Sequence, residues 1–445
     1  MNNKFYYTEK KIDTNIFVGE QNKNVAKYNL PPKVVFCKKC LFTNQRPVTR
    51  VEHSIDKQKD SPETTQYEDG ICKACQIKEK WSNIDWEERD REFKKILDQY
   101  RSRNGNYDVV VPGSGGKDSF YVAHQLKHKY GMHPITITFS PYIYTDWGWN
   151  NMKAWMHAGF ENYLNTPNQK VYRLLCRIAL ENLFHPWHPW ICGQKNFPAK
   201  FARNLNIPLV VYGDSPGEYG QNEYEADYNI DWHTCDKIEN VSLSGESIQK
   251  IKSFGLKEYD LYPFLPITKD QFKESKIRII AFSYFKKWHP QGNYYYAVEH
   301  ADQNNPFNIS PERTIGSHSK YSSIDDVMDH FYWSTYFVKF GIGRASADVT
   351  QEVRNGDLSI EEGIKLISKF DGEFPEQYSK IVFDYFSIDE KNFGKRIFNL
   401  FERPAMNREY FDQMSDYFRS PHLWKKTNKG FELRNKIENY FKKKK

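Results

Sequence analysis

The amino-acid sequence predicts an α/β fold: a parallel-sheet, Rossmann-like nucleotide-binding domain, with a cysteine-rich module before it and a mainly helical region after it. Three observations predict this. A short β-branched run at 107–111 is closed by Pro112 and a glycine-rich loop, a helical pattern follows at once, and strand character resumes at 135–139. A second apolar run at 207–212 leads into another glycine-containing loop, as expected where parallel strands end on one site. Two Cys-x-x-Cys pairs stand upstream of all of this.

The chain has 445 residues with 39% hydrophobic content, enough for one large core divided among two or three units, since single cores stop growing near about 250–300 residues. Lys plus Arg number 64 against 57 Asp plus Glu, an excess that suits phosphate-bearing small molecules as readily as nucleic acid. No stretch reaches the roughly 18 apolar residues that cross a bilayer, and the polar start Met1-Asn2-Asn3-Lys4 lacks the apolar core of a secretion signal. A cytoplasmic protein with no membrane or nucleic-acid partner is expected.

Taken in order, residues 1–32 form a polar lead-in that ends at Pro31-Pro32. Residues 33–80 hold Cys37, Cys40, Cys72 and Cys75, which in a reducing compartment suit a structural, tetrahedral Zn²⁺, with an iron–sulfur cluster as the alternative. Residues 81–105 predict a linker helix with Trp86, Phe93, Ile96, Leu97 and Tyr100 on one face. The nucleotide domain is expected over 106–300, its first helix running over 118–130 and stopped by Gly131. Residues 301–445 turn helical, with helices at 324–340 and 359–368, a charged helix near the end and a solvated lysine run at 442–445.

The loop after the first strand carries the chemistry. Gly113, Gly115 and Gly116 let backbone N–H groups converge on an anion such as pyrophosphate, and the following helix adds its positive end. Ser114 and Ser119 offer hydroxyls to phosphate oxygens, Lys117 offsets developing negative charge, and Asp118 can hold Mg²⁺ directly or through water. The Gly-x-x-x-x-Gly-Lys-[Ser/Thr] spacing of kinase-type loops is absent, because Val111 stands where its first glycine would be and Asp118 follows Lys117.

This run, Ser114-Gly115-Gly116-Lys117-Asp118-Ser119, resembles the Ser-Gly-Gly-x-Asp-Ser loop of the PP-loop ATP pyrophosphatases, whose fold is adenine nucleotide alpha hydrolase-like. The resemblance implies cleavage of ATP to AMP and pyrophosphate, with adenylation of an amide or carbonyl oxygen. Zinc knuckles before such a loop occur in tRNA-thiolating enzymes and in N-acetyl sugar amidotransferases of bacterial surface-polysaccharide pathways. Thiolating enzymes carry further central cysteines, whereas Cys176 and Cys192 have no Cys-x-x-Cys partner here. Residues 37–47, 213–220, 287–296 and 339–344 are similar to the sugar amidotransferases, with Asp214-Ser215 standing where relatives often carry Glu-Asn.

The amidotransferase resemblance implies conversion of a sugar acetamido group to acetamidino, with ammonia from a partner glutaminase and its cyclase-like companion subunit. Lys117, Asp118 and Glu218 would be catalytic, and Asp214 and Arg344 would join the loop in holding ATP and Mg²⁺. Arg354, flanking Asp348 with Arg344, is a further candidate for phosphate charge, the alternative being a surface salt-bridge helix. Aromatic faces stack on sugar rings and imidazoles bond hydroxyls, which draws Trp190 in the run 185–190, Tyr219, and His289 beside Trp288 into the substrate site, against rigid loop packing as the plainer reading.

Overall fold

A computed structural model of the protein describes residues 24–47, 64–220, 226–228, 233–400 and 405–442. Most of the lead-in (1–23) and the last three lysines lie outside the described residues. At the centre is a five-stranded sheet of β1 (Val109–Pro112), β2 (Pro134–Phe139), β3 (Asn162–Asn165), β4 (Leu209–Tyr212) and β5 (Arg278–Ala281). Its order is β5-β4-β1-β2-β3, and every pairing is parallel. The chain leaves β1 toward β2 on one side and returns to β4 on the other, so the strand order reverses at β1.

A strand buried on both faces sends alternate side chains into two cores. Val109 and Val111 of β1 pack with Phe93 and Phe120 on one face. Val110, one residue between them, packs with Ala199, Phe201 and Ala202 on the other. The first face is covered by α2 (Trp86–Tyr100) and α3 (Lys117–His124), and the second by α6 (His188–Asn204).

Local chemistry sets the helix ends. The 81–100 stretch is two helices, because Asp85 caps α2 by accepting from Glu87 and Glu88 N–H at 2.9 and 3.0 Å, so Trp81 closes α1 (Lys73–Ser82). Phe93 of α2 stacks on Phe285 at 4.7 Å, within the sheet's own core. After α3 comes a π-helical turn, Gln125–Lys129, which ends where Gly131 takes a left-handed φ of 62°. Residues 188–190 open α6 with proline in the first turn. Pro198 then removes an N–H inside that helix, and the Tyr212 hydroxyl takes up the released Gln194 carbonyl at 3.4 Å.

A third core joins α5 (Gln169–Leu183) to the C-terminal helices, with Tyr172 and Phe184 beside Phe331, Phe383 and Phe411. Arg177 is wholly buried in α5 and is met by Glu181 at 2.6 Å and the Phe386 carbonyl at 2.9 Å. The C-terminal region contains α8 (Val327–Phe340), α9 (Arg344–Asn355) and α10 (Ile360–Phe370), and also an antiparallel hairpin, Trp424–Thr427 with Gly430–Leu433. No helix among the described residues is long and apolar enough to cross a membrane.

The segment before α8 is sewn to the sheet. Asp326 is fully buried; its carboxylate caps α8 at Met328 N–H (2.8 Å) and accepts from the Tyr142 and Ile143 N–H groups beyond β2. Thr145 N–H reaches the Asp325 carbonyl at 3.2 Å and Val327 N–H the Ile143 carbonyl at 3.0 Å. Gly148 of α4 (Asp146–His157) makes this approach possible, since a Cβ there would lie 2.4 Å from the Asp325 carbonyl oxygen and 2.6 Å from its Cα. Gly148→Ala is therefore expected to destabilise the protein by about 1–3 kcal/mol, measured as a lower denaturant midpoint at unchanged slope; an unchanged midpoint would contradict this docking.

Candidate active site and metal centre

A cleft of about 490 Å³ opens at the carboxyl ends of β1, β2 and β4, where the strand order reverses. Its floor is the 113–119 loop. Gly113 cannot be replaced without collision, because a Cβ would fall 2.1 Å from that of Ser119, and Gly115 takes a φ of 86° against the backbone of Met152. Gly116 caps α3 with no side chain of its own, which leaves first-turn N–H groups facing outward as anion donors.

Around this floor the structure gathers most of the residues singled out in the sequence. Gly113, Ser114, Gly116, Lys117, Asp118, Ser119, Trp190, Asp214, Tyr219 and Arg344 all line the cleft. Lys117 Nζ pairs with Asp118 Oδ2 at 2.5 Å, and Asn293 of α7 (Pro290–His300) holds the other Asp118 oxygen at 2.8 Å. Desolvation, and then the nearby Asp214 carboxylate, raise the Tyr219 hydroxyl well above its ordinary value. Arg344 grips Asp348 with two nitrogens, at 2.8 and 3.2 Å, and lies over the Trp333 ring at 5.1 Å. Trp190 donates to the Phe139 carbonyl at 3.3 Å and stands against Trp187, ring centres 4.7 Å apart.

Other candidates are placed elsewhere. Gly115 sits beneath the loop, packed on α4. His289 caps α7, accepting from Gly292 N–H at 2.8 Å while its Nε2 faces Asp357 at 3.1 Å. Trp288 is in the core, against Gly213. Glu218 is buried in the turn Pro216–Tyr219, its Oε1 without a hydrogen-bond partner among the described residues, and burial raises its carboxyl to about 7 against the pull of Arg354 and Lys78. Cys176 and Cys192 are buried too. Burial pushes both thiols up, Cys192 to about 12, so neither offers a thiolate.

Three groups in the cleft were not evident from the sequence. Asp325 accepts from the Ser114 hydroxyl at 2.6 Å and lies within electrostatic reach of Lys117 and Asp118. Lys195 of α6 lies over Tyr212 and Tyr228, at 5.1 and 4.5 Å, where desolvation lowers its ammonium to about 8 against the attraction of Asp214. Tyr321 presents its ring to Lys117 at 5.8 Å. The cleft thus sets the backbone donors and Lys117 of the floor, with Asp118 among them, against carboxylates of Asp214, Asp325 and Asp329. The loop amides could take an anion such as a phosphate, and Asp118 and Asp214 are the carboxylates that could hold a divalent cation beside it.

The cysteines form a second centre. Cys37, Cys40, Cys72 and Cys75 are buried, with all four sulfur atoms within 4.8 Å of one another. Cys37 to Cys75 is 3.8 Å and Cys40 to Cys72 is 3.5 Å. Four ligands about 2.3 Å from a tetrahedral ion stand about 3.8 Å apart, whereas a disulfide needs about 2.05 Å. The spacing therefore fits a metal such as zinc. Backbone N–H groups of Lys39 and Cys72 also point at Cys37 Sγ, at 3.4 and 3.3 Å, as tight knuckles provide.

Residues 317–438 match the family model described as "LPS biosynthesis protein WbpG-like, C-terminal domain". Over that stretch the chain is similar to a surface-polysaccharide biosynthesis family. The matched region is the one that brings Tyr321, Asp325, Asp329, Trp333 and Arg344 to the cleft. No curated protein matches the chain.

Two outcomes are expected. Purified protein should carry about one metal ion per chain, and Cys37→Ser should lose it and at least about 3 kcal/mol of stability; a metal-free, stable wild type would refute the centre. Asp325, raised by desolvation from the ordinary aspartate range to about 6, contributes stability that is complete below about pH 4 and lost as pH rises through 6. Asp325→Asn keeps an acceptor for Ser114 and removes that titration. Its melting temperature should gain on wild type between pH 4.5 and 7.5; a constant difference would show that Asp325 is not desolvated.

Proposed function

We propose that the protein is an ATP-dependent amidotransferase that converts an acetamido group of an N-acetyl sugar to acetamidino, in lipopolysaccharide O-antigen or related surface-glycan biosynthesis. The observation that carries this reading is the meeting of two signals in one cleft. The Ser-Gly-Gly-Lys-Asp-Ser loop forms its floor, and the region similar to LPS biosynthesis proteins forms its facing wall.

An amide carbon is a weak electrophile because nitrogen donates into the carbonyl. Attack of the amide oxygen on the α-phosphorus of ATP forms an O–P bond and expels pyrophosphate, leaving an O-adenylated imidate. Ammonia then adds to that carbon, the C–O bond breaks, and AMP leaves with the former amide oxygen. The loop amides and Ser119 would grip the β and γ phosphates, and Lys117 would offset charge on the departing pyrophosphate. Asp118 and Asp214 would hold Mg²⁺, which neutralises phosphate charge and fixes its geometry. Arg344, at the opposite wall, would meet nucleotide charge. Trp187, Trp190 and Trp333 supply flat apolar faces of the kind that stack on a sugar ring, next to the polar groups of Asp325 and Asp329. The four-cysteine centre would hold structural zinc.

Ammonia at neutral pH is mostly ammonium, so a supply of the free base is part of the proposal: a partner glutaminase with a cyclase-like companion. The protonated thiols of Cys176 and Cys192 weigh against tRNA thiolation, which needs a reactive sulfur near the activated carbon.

Incubation of acetamido sugar nucleotides with ATP, Mg²⁺ and ammonium salts should yield AMP, pyrophosphate and a sugar in which one oxygen is replaced by NH, read by mass spectrometry. Asp118→Ala should lower pyrophosphate release about 10²-fold or more with the melting temperature retained. ADP as the product, or undiminished turnover in that variant, would refute the mechanism.

A further inference from the structure

The loop at 213–220, which brings Asp214 and Tyr219 to the cleft, is not braced by the sheet alone. It leans on the four-cysteine module. Gly220 has a φ of 76° and lies so close to α1 that a Cβ would meet the Ala74 nitrogen and Thr65 Cγ2, each at 3.0 Å. Arg46 of the module covers the Tyr219 ring at 4.7 Å. The guanidinium of Arg354, at the end of α9, joins the two: Nη1 donates to Cys40 Sγ at 3.5 Å and Nη2 to the Glu218 carbonyl at 3.1 Å. Lys78 of α1 donates to Asn355, next in sequence to Arg354, at 2.7 Å, which fixes α9 against the module.

Four thiolates around a divalent ion leave net negative charge, and a guanidinium touching one of them is drawn there. The same planar fork carries further N–H groups on a separate nitrogen, held at a fixed angle that the single nitrogen of a lysine does not provide. We propose that Arg354 is a positioning residue that couples the metal-loaded cysteine cluster to the nucleotide cleft: the cluster fixes Arg354, Arg354 fixes the Glu218 carbonyl, and that turn sets Tyr219 and Asp214. The metal centre is then part of the cleft's geometry as well as of the fold. This rests on the nucleotide reading above, and the probes separate the two.

The test uses the full-length, metal-loaded protein with Mg²⁺ and the ATP analogue AMP-PNP, with no sugar or ammonia present, so that its cleavable α–β bond meets no acceptor. Calorimetry gives the nucleotide Kd, metal analysis the metal content, and a chromogenic chelator the extent of metal extraction. Arg354→Ala should keep its metal and bind AMP-PNP about tenfold more weakly or worse, the scale of one lost charged hydrogen bond. Coupling is reciprocal, so saturating AMP-PNP should protect the metal from the chelator in wild type and not in Arg354→Ala. Equal Kd values, or wild-type extraction indifferent to nucleotide, would overturn the coupling. Should Arg354→Ala lose its metal or its fold, Gly220→Ala decides: it touches no thiol yet pushes the loop off α1. Weaker AMP-PNP binding with metal retained supports the proposal, and wild-type affinity overturns it. A wild-type protein that does not bind AMP-PNP at all would instead sink the nucleotide reading itself.

Discussion

A desolvated carboxylate must be met by donors, and the pair Asp325-Asp326 meets its donors by drawing one segment of chain across the end of the central sheet. Asp326 collects three backbone N–H groups, two from the turn beyond β2 and one at the start of α8. Asp325 takes the hydroxyl of Ser114. Between them they fix the C-terminal region to the loop that follows β1, and the cleft exists because these two parts face each other there. An acidic wall opposite a nest of backbone donors is an arrangement that a bare polyphosphate would not favour; a magnesium-bound one, as proposed, offers each side its complement.

The cysteine module has a comparable influence at the other edge of the cleft. Such modules are often viewed as separate appendages that only stabilise themselves. Here its residues touch the 213–220 loop at Gly220 and Tyr219, and touch α9 at Arg354 and Asn355. Much of the cleft's geometry is therefore set from outside the sheet, by contacts that are polar, directional and sensitive to small displacements.

The parallel α/β arrangement was legible because its signals are local. Val109, Val110 and Val111 read as a doubly buried strand, the glycines announced the turn, and the period changed to helical within a few residues. Helix starts at Asp326 and Ser359 were close to the residues expected, since both are cap residues with nearby N–H partners. Other elements gave weaker cues. The break at Asp85 lies inside an otherwise continuous helical pattern, where one cap outweighs the period. The hairpin near 424–433 is too short and charged to stand out from its helical surroundings. Asp325 showed no local sign of its place at the loop, because its partner Ser114 is 211 residues away.

By itself the sequence determined the local features: a glycine-rich turn after a buried strand, and two thiol pairs whose spacing suits a tetrahedral ion. These follow from backbone sterics and from reach within a few residues, which any reader of the chain can compute. Only the tertiary structure decided which distant groups complete them. The position of Asp325 over the loop, of Lys195 among tyrosine rings, of His289 at a helix start, and of Arg354 between a thiol and a carbonyl all depend on burial and charge balance among elements brought together by folding. Such pairings carry no period and no spacing along the chain.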